Sequence, residues 1–266
     1  MPTNAMKTNS HPPTGAFTIE ELLVVIVTIG LLAAVLIPVY SKAMSKRDRA
    51  RCVDNLKQIG TAFRLFCSDG GDLYPLQTTG NTYIGTMAGA AVPGSSAAAW
   101  QVAQSMWNEL GAPNKLLFPS DRERQGFHTV TDFNGLAANS NAMSSVSLGH
   151  PTNQNNVLSY AFGVAADEAR PLSLLVLDRN INNVGLAGAS VVTNVAFTST
   201  RAVLNATISP TQAVWVTGTR IHGLEGNLAY SDSSARQATA EELRQSLEKA
   251  AASYGSIANQ NLMLFP

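Results

Sequence analysis

The chain has 266 residues and carries 18 Lys and Arg against 18 Asp and Glu, so its formal net charge is zero and only 14% of it is charged. A hydrophobic share of 45% excludes an intrinsically disordered chain and is ample for a core. No basic excess marks a nucleic-acid partner.

Near the amino terminus, Gly15-Ala16-Phe17-Thr18-Ile19-Glu20-Glu21 leads into an apolar run from Leu22 to Val39. As a helix rising about 1.5 Å per residue, the run is roughly 27 Å long, close to the ~30 Å hydrocarbon core of a bilayer. Glu20 and Glu21 sit against its amino-terminal edge, where an unpaired carboxylate drawn to mid-bilayer costs on the order of 2.5–3.5 kcal/mol. A partner is needed to hold them there.

Phe17-Thr18-Ile19-Glu20-Glu21-Leu22-Leu23-Val24-Val25-Ile26, with Gly30 and Pro38 further along, resembles the processing motif of type IV pilins and type II secretion pseudopilins. The resemblance implies a leader, 1–16, removed by a prepilin peptidase that methylates the new terminus. It also implies a glutamate at the fifth mature position that meets the amino terminus of a neighbouring subunit. In that family a glycine directly precedes the phenylalanine, whereas here Ala16 intervenes. A cut after Ala16 makes Phe17 first and Glu21 fifth; a cut after Gly15 makes Ala16 first and Glu20 fifth. The proline and the apolar register favour Phe17 and Glu21. A different reading takes the run as an export signal, with Ser41-Lys42-Ala43 as a small-x-small cleavage site, although the run exceeds the usual 7–15 residues of such signals.

Beyond the run stand Lys42, Lys46, Arg47, Arg49 and Arg51, against Lys7 alone in the leader. The positive-inside rule would put that end in the cytoplasm. The resemblance puts it in the periplasm, as part of a continuing helix. Val53, Leu56, Ile59, Phe63 and Phe66 then recur at helical spacing, with Arg51, Asp54, Lys57 and Arg64 mostly opposite, so an amphipathic helix follows. The whole helix is expected over 17–69, spanning the membrane over 22–39, kinked at Pro38 and capped by Gly70 or Gly71 before Pro75. Cys52 and Cys67 would lie about 22 Å apart along it, too far for a disulfide, and read as buried thiols. Residues 51–60, Arg51 to Gly60, are similar to the C-x-x-N-L-K-Q-I-G stretch of a subset related to G-type pseudopilins.

The remaining 70–266 are expected to form a globular head. Residues 76–96 read as irregular. Trp100, Ala103, Trp107 and Leu110 predict a second helix from about Ala97, lying on a sheet through its tryptophans and closed by Gly111 and Pro113. Leu116-Leu117-Phe118-Pro119-Ser120-Asp121 resembles the C-P-S-D element of the same subset, with Phe118 in place of the cysteine. After a Ser/Asn-rich loop over 134–156, strands are expected at 160–164, 172–177, 191–197, 213–217 and 227–231, paired antiparallel. Thr239 with Glu242 makes a capping box that opens a last helix to about Ser253, with Leu243, Leu247 and Tyr254 buried. The fold class is therefore α+β: a long amino-terminal helix on an antiparallel sheet, with short helices added.

His222 to Ser233 is similar to the H-G-x-x-G-N-x-x-x-x-D-G-S element of that subset. His222, Asp232 and Ser233 invite a catalytic triad, but no G-x-S-x-G elbow exists, and a hairpin with Asn227 and Asp232 satisfying turn backbone is the simpler reading. Calcium is bound by G-type pseudopilins; Asp232 with Ser233, or Asp69 with Asp72, supply too few of the six to eight oxygens it takes, so no cofactor is expected. Asp167, Glu168 and Asp178 read as solvated or turn residues, and His11, His128 and His150 as lone histidines without metal-ligand spacing. No H-E-x-x-H, P-loop, dinucleotide fingerprint or C-x-x-C occurs.

The resemblance implies a non-enzymatic filament subunit. Its partners would be other pilin subunits, alike or different, the prepilin peptidase, the secretion or pilus machinery and the inner membrane, with the head in the periplasm. The alternative is an exported periplasmic or extracellular binding or enzymatic domain that uses the apolar segment only as signal or anchor.

Overall fold

Helix α1 (Ile19–Gly70) opens the chain in the computed structural model, which describes residues 18–76, 98–119, 121–135, 144–164, 166–182, 184–186, 191–192, 204–208, 213–215, 224–254 and 262–265. The chain divides into two units, residues 1–46 and 47–266. In the first, every described residue but Thr18 belongs to α1, and every Val, Ile and Leu from Leu22 to Val39 is exposed. Pro38 lies inside the helix, which continues through it.

In the second unit the amphipathic part of α1 buries Cys52, Leu56, Ile59 and Phe63. Its end obeys the expected chemistry. Gly71 takes a left-handed φ of 87°, Asp72 follows at 63°, and the Asp72 N–H donates back to the Cys67 carbonyl at 2.9 Å. That bond satisfies one of the carbonyls a helix end leaves orphaned.

The expected second helix is broken. It forms α2 (Ala99–Ser105) and α3 (Trp107–Leu110), divided at Met106. The tryptophans are not its buried stripe: Trp107 is 46% exposed and Trp100 half-buried, whereas Ala99, Val102, Ala103, Met106 and Leu110 are buried. Small residues at 99 and 103 line the inward face; Trp100 packs against that core from its edge, and Trp107 faces away. Short 3-10 turns follow at Pro113–Leu116, Arg122–Thr129 and Gln154–Val157, the last at the end of the stretch read as a loop.

The strands are β1 (Tyr160–Gly163), β2 (Leu174–Asp178), β3 (Ile181–Asn182), β4 (Val184–Leu186), β5 (Val191–Val192), β6 (Leu204–Ile208), β7 (Val214–Trp215), β8 (Glu225–Tyr230), β9 (Ala235–Thr239) and β10 (Leu262–Phe265). Eight of them form one antiparallel sheet in the order β5-β4-β6-β10-β1-β2-β8-β9, and β3 pairs with β7 separately. The layout is α+β. The carboxyl-terminal β10 sits centrally, between β6 and β1.

Alternation gives the sheet two apolar faces. Tyr160, Phe162, Val176 and Ala229 join the core that holds Leu56, Ile59 and Phe63 of α1. Ala161, Leu177 and Leu228 join a second core with Trp215 and with Leu243, Leu247 and Ala250 of α4 (Ala240–Tyr254). Helix α4 opens on the expected capping box: Thr239 N donates to Glu242 Oε2 at 2.8 Å, and Glu242 N to Thr239 Oγ1 at 3.3 Å. Two glycines are closely approached by other parts of the head. Gly226 carries the Trp215 ring where a Cβ would stand, and a Cβ on Gly60 of α1 would meet Ser233 Cα at 3.1 Å.

Candidate assembly segment and the buried polar cluster

The amino-terminal segment is built from the Thr18–Glu21 pair upward. Thr18 N donates to Glu21 Oε2 at 2.9 Å, Thr18 Oγ1 donates to the same oxygen at 3.0 Å, and Glu21 N donates to Thr18 Oγ1 at 3.3 Å. This is a capping box with threonine at the N-cap and glutamate three residues on. The identical pattern recurs at Thr239 and Glu242, and the signal for it here is the same threonine followed three residues later by glutamate. Glu20 and Glu21 both lie in the first turn of α1, where a carboxylate is favoured by the partial positive charge of the helix amino terminus. Both are exposed. The processing residues Gly15, Ala16 and Phe17 lie outside the described residues.

Behind the cap, the exposure of the large apolar residues from Ile19 to Tyr40 runs from 44% at Val25 to 84% at Ile19. A helix that is apolar all round belongs in a core or in lipid. This one has neither around it in a single chain, and each such side chain gains about 1.5–3 kcal/mol when removed from water. Among the described residues it is the helix long and apolar enough to cross a membrane.

The head holds a second constellation that sequence reading missed. Arg179, only 4% exposed, donates from Nε and Nη2 to the two carboxylate oxygens of buried Asp121, at 3.1 and 3.0 Å, and from Nη2 to Glu123 at 2.8 Å. Ser159 Oγ donates to Asp121 at 2.8 Å and accepts from Phe118 N at 3.2 Å. The Leu116-to-Asp121 element is thereby tied to the strands through its aspartate. The usable signal was an Asp closing an apolar element and an Arg directly after an apolar strand.

Asp178 and Asn227 correct the sequence expectation. Asp178 is fully buried at the end of β2, not a solvated or turn residue, and accepts from Asn227 N at 2.8 Å and Asn227 Nδ2 at 3.0 Å. Burial holds its carboxyl well above the usual range, against the lowering effect of the Asn227 bonds. Asn227 is therefore a buried strand residue rather than a turn residue. Asp232 does serve a turn, accepting from Ser234 N at 2.8 Å, and Asp167 likewise accepts from Ala169 N at 3.0 Å. Glu168 pairs with Arg64 at 3.1 Å.

Among the described residues no three His, Cys, Asp or Glu side chains are grouped to hold a metal. Asp69, Asp72 and Asp232 are each exposed. His128 is exposed and His150 shares Nδ1 with Thr152 Oγ1 at 2.8 Å; His11 and His222 lie outside the described residues. Cys52 and Cys67 are buried free thiols.

No family model matches the chain, and comparisons with curated proteins and with solved structures find no match.

Proposed function

We propose that the chain is a structural, non-enzymatic subunit of a pilus-like or pseudopilus filament, held in the inner membrane with its head in the periplasm until a prepilin peptidase processes it. The observation that carries this reading is the helix over 22–39, apolar on every side and exposed on every side, led by a carboxylate at Glu21. Lipid covers such a helix before assembly. Neighbouring copies cover it afterwards, and head-to-tail contacts that do not close give a polymer. Burial of the same apolar surface against neighbours offsets its withdrawal from lipid.

Processing after Ala16 leaves Glu21 at the fifth mature position, and a neighbour's amine then supplies the cation that makes a buried carboxylate tolerable. The Thr18 bonds hold that carboxylate at the helix tip meanwhile. The test is filament incorporation of Glu21→Ala beside Glu20→Ala. The reading expects Glu21→Ala to keep a folded head and to fail to incorporate; normal filaments from both variants reject it.

One observation favours the exported-domain reading instead: the head unit begins at Arg47, just past the Ser41-Lys42-Ala43 site, and carries its own two-sided core. In that case the mature chain begins at Met44.

A further inference from the structure

We infer that the turns of α1 directly after the apolar run form a binding surface for anionic phospholipid headgroups, centred on Lys42 and Lys46. This rests on the membrane-spanning part of the proposed function, and not on filament assembly. Lys42 and Lys46 stand four apart, on one face of the helix. Both are exposed and, among the described residues, neither makes an ion pair. The nearest carboxylate in sequence, Asp48, is taken by Arg47 at 2.9 Å, so it does not neutralise them.

Position along the helix decides what they meet. With the run ending at Val39, Lys42 lies about 4.5 Å and Lys46 about 10 Å beyond it along the axis. The polar layer of a bilayer leaflet is roughly 5–7 Å thick. Helical side chains lean toward the amino terminus, which here is the lipid side, and a lysine stem lies along apolar surface while its ammonium reaches polar ground. Both ammonium groups therefore fall at phosphate depth. Arg51, about 18 Å out, is more than two Debye lengths of about 8 Å from the run's end and contributes little. The partner that fits is a net-negative headgroup, since a zwitterionic one offers its phosphate together with a competing cation.

The full chain, reconstituted in phosphatidylcholine bilayers with trace spin-labelled phosphatidylglycerol or spin-labelled phosphatidylcholine, tests this by comparing the fraction of each label immobilised at the protein. The expected result is a preference for phosphatidylglycerol of at least about fivefold, the scale of a single basic group at an anionic surface. Lys42→Gln/Lys46→Gln should abolish it, Arg51→Gln should leave most of it, and high salt should weaken it. Equal immobilisation of the two labels by the unaltered chain, or an unchanged preference in the double variant, overturns the proposal. Alkaline-carbonate extraction of the same vesicles separates this failure from failure of the spanning helix: a chain that extracts refutes the span itself.

Discussion

Arg179 lies fork-to-fork on Asp121, Nε and Nη2 each on its own carboxylate oxygen at 3.1 and 3.0 Å, with both side chains almost wholly out of water. Such a pair has little net worth over an apolar substitute, yet breaking it leaves a buried charge uncompensated, at about 3–5 kcal/mol. Arg179→Met should therefore lower stability to denaturant by up to that amount, because among the described residues the hydrogen bond left to Asp121 comes from the Ser159 hydroxyl, with the Arg124 charge nearby. Asp121→Asn should cost less, since Arg179 retains Glu123 at 2.8 Å. Urea unfolding of the two variants, followed by circular dichroism, checks the order; Asp121→Asn proving the more damaging would contradict it.

Asp178 gives a pH dependence of definite sign. Its carboxyl is held well above the usual range by burial, so the folded chain keeps a proton that the unfolded chain releases near pH ~3.9. Stability contributed by this group is therefore present below that pH and declines as the pH rises toward the folded value. Asp178→Asn removes the decline. Measured against that variant, the unaltered chain should lose ground in its urea midpoint between pH 4.5 and 7; a constant gap, or one moving in its favour, would disprove the assignment.

Two glycines of the same helix should respond differently to alanine. At Gly60 the added Cβ meets Ser233 Cα at 3.1 Å and Cβ at 3.2 Å, and overpacking of this kind costs about 1–3 kcal/mol, outweighing the roughly 1 kcal/mol that alanine gains in a helix. At Gly30 nothing lies within 4 Å, so Gly30→Ala should leave the head's thermal midpoint unchanged. A more stable Gly60→Ala protein would show that the helix does not approach the 231–234 turn so closely.

The two thiols should be inert. Burial, followed by the nearby Glu168 carboxylate, pushes Cys67 up to about 12, and burial pushes Cys52 higher still. Since the thiolate is the reactive form, an aromatic disulfide reagent should label neither in the native chain within minutes and both in denaturant. Prompt labelling of one thiol in the folded protein would contradict this.

Where local chemistry decides, the sequence was readable. The Gly70-Gly71 stop of α1, the Thr239–Glu242 box and the stripe from Leu56 to Phe63 are set by neighbours within a turn or two. Strands β6, β9 and β10 were not foreseen. β6 and β10 pair with strands far along the chain, so a short window carries no sign of them, whereas β9 closes a hairpin with β8 but reads as a run of mixed polar and small residues, Ala235-Arg236-Gln237-Ala238-Thr239. Asp121, Asp178 and Asn227 were misjudged or passed over for a related reason. A polar residue at an element's end looks solvated until long-range packing closes over it. The expected strands at 191–197 and 213–217 are described only at Val191–Val192 and Ala213–Trp215.

The first residue of the mature chain tests the central claim most directly, read by Edman degradation or intact mass on protein recovered from membranes. The account predicts Phe17, or Ala16 if the cut falls one bond earlier, with a methylated amine in either case. A chain beginning at Met44, without the apolar helix, would contradict it.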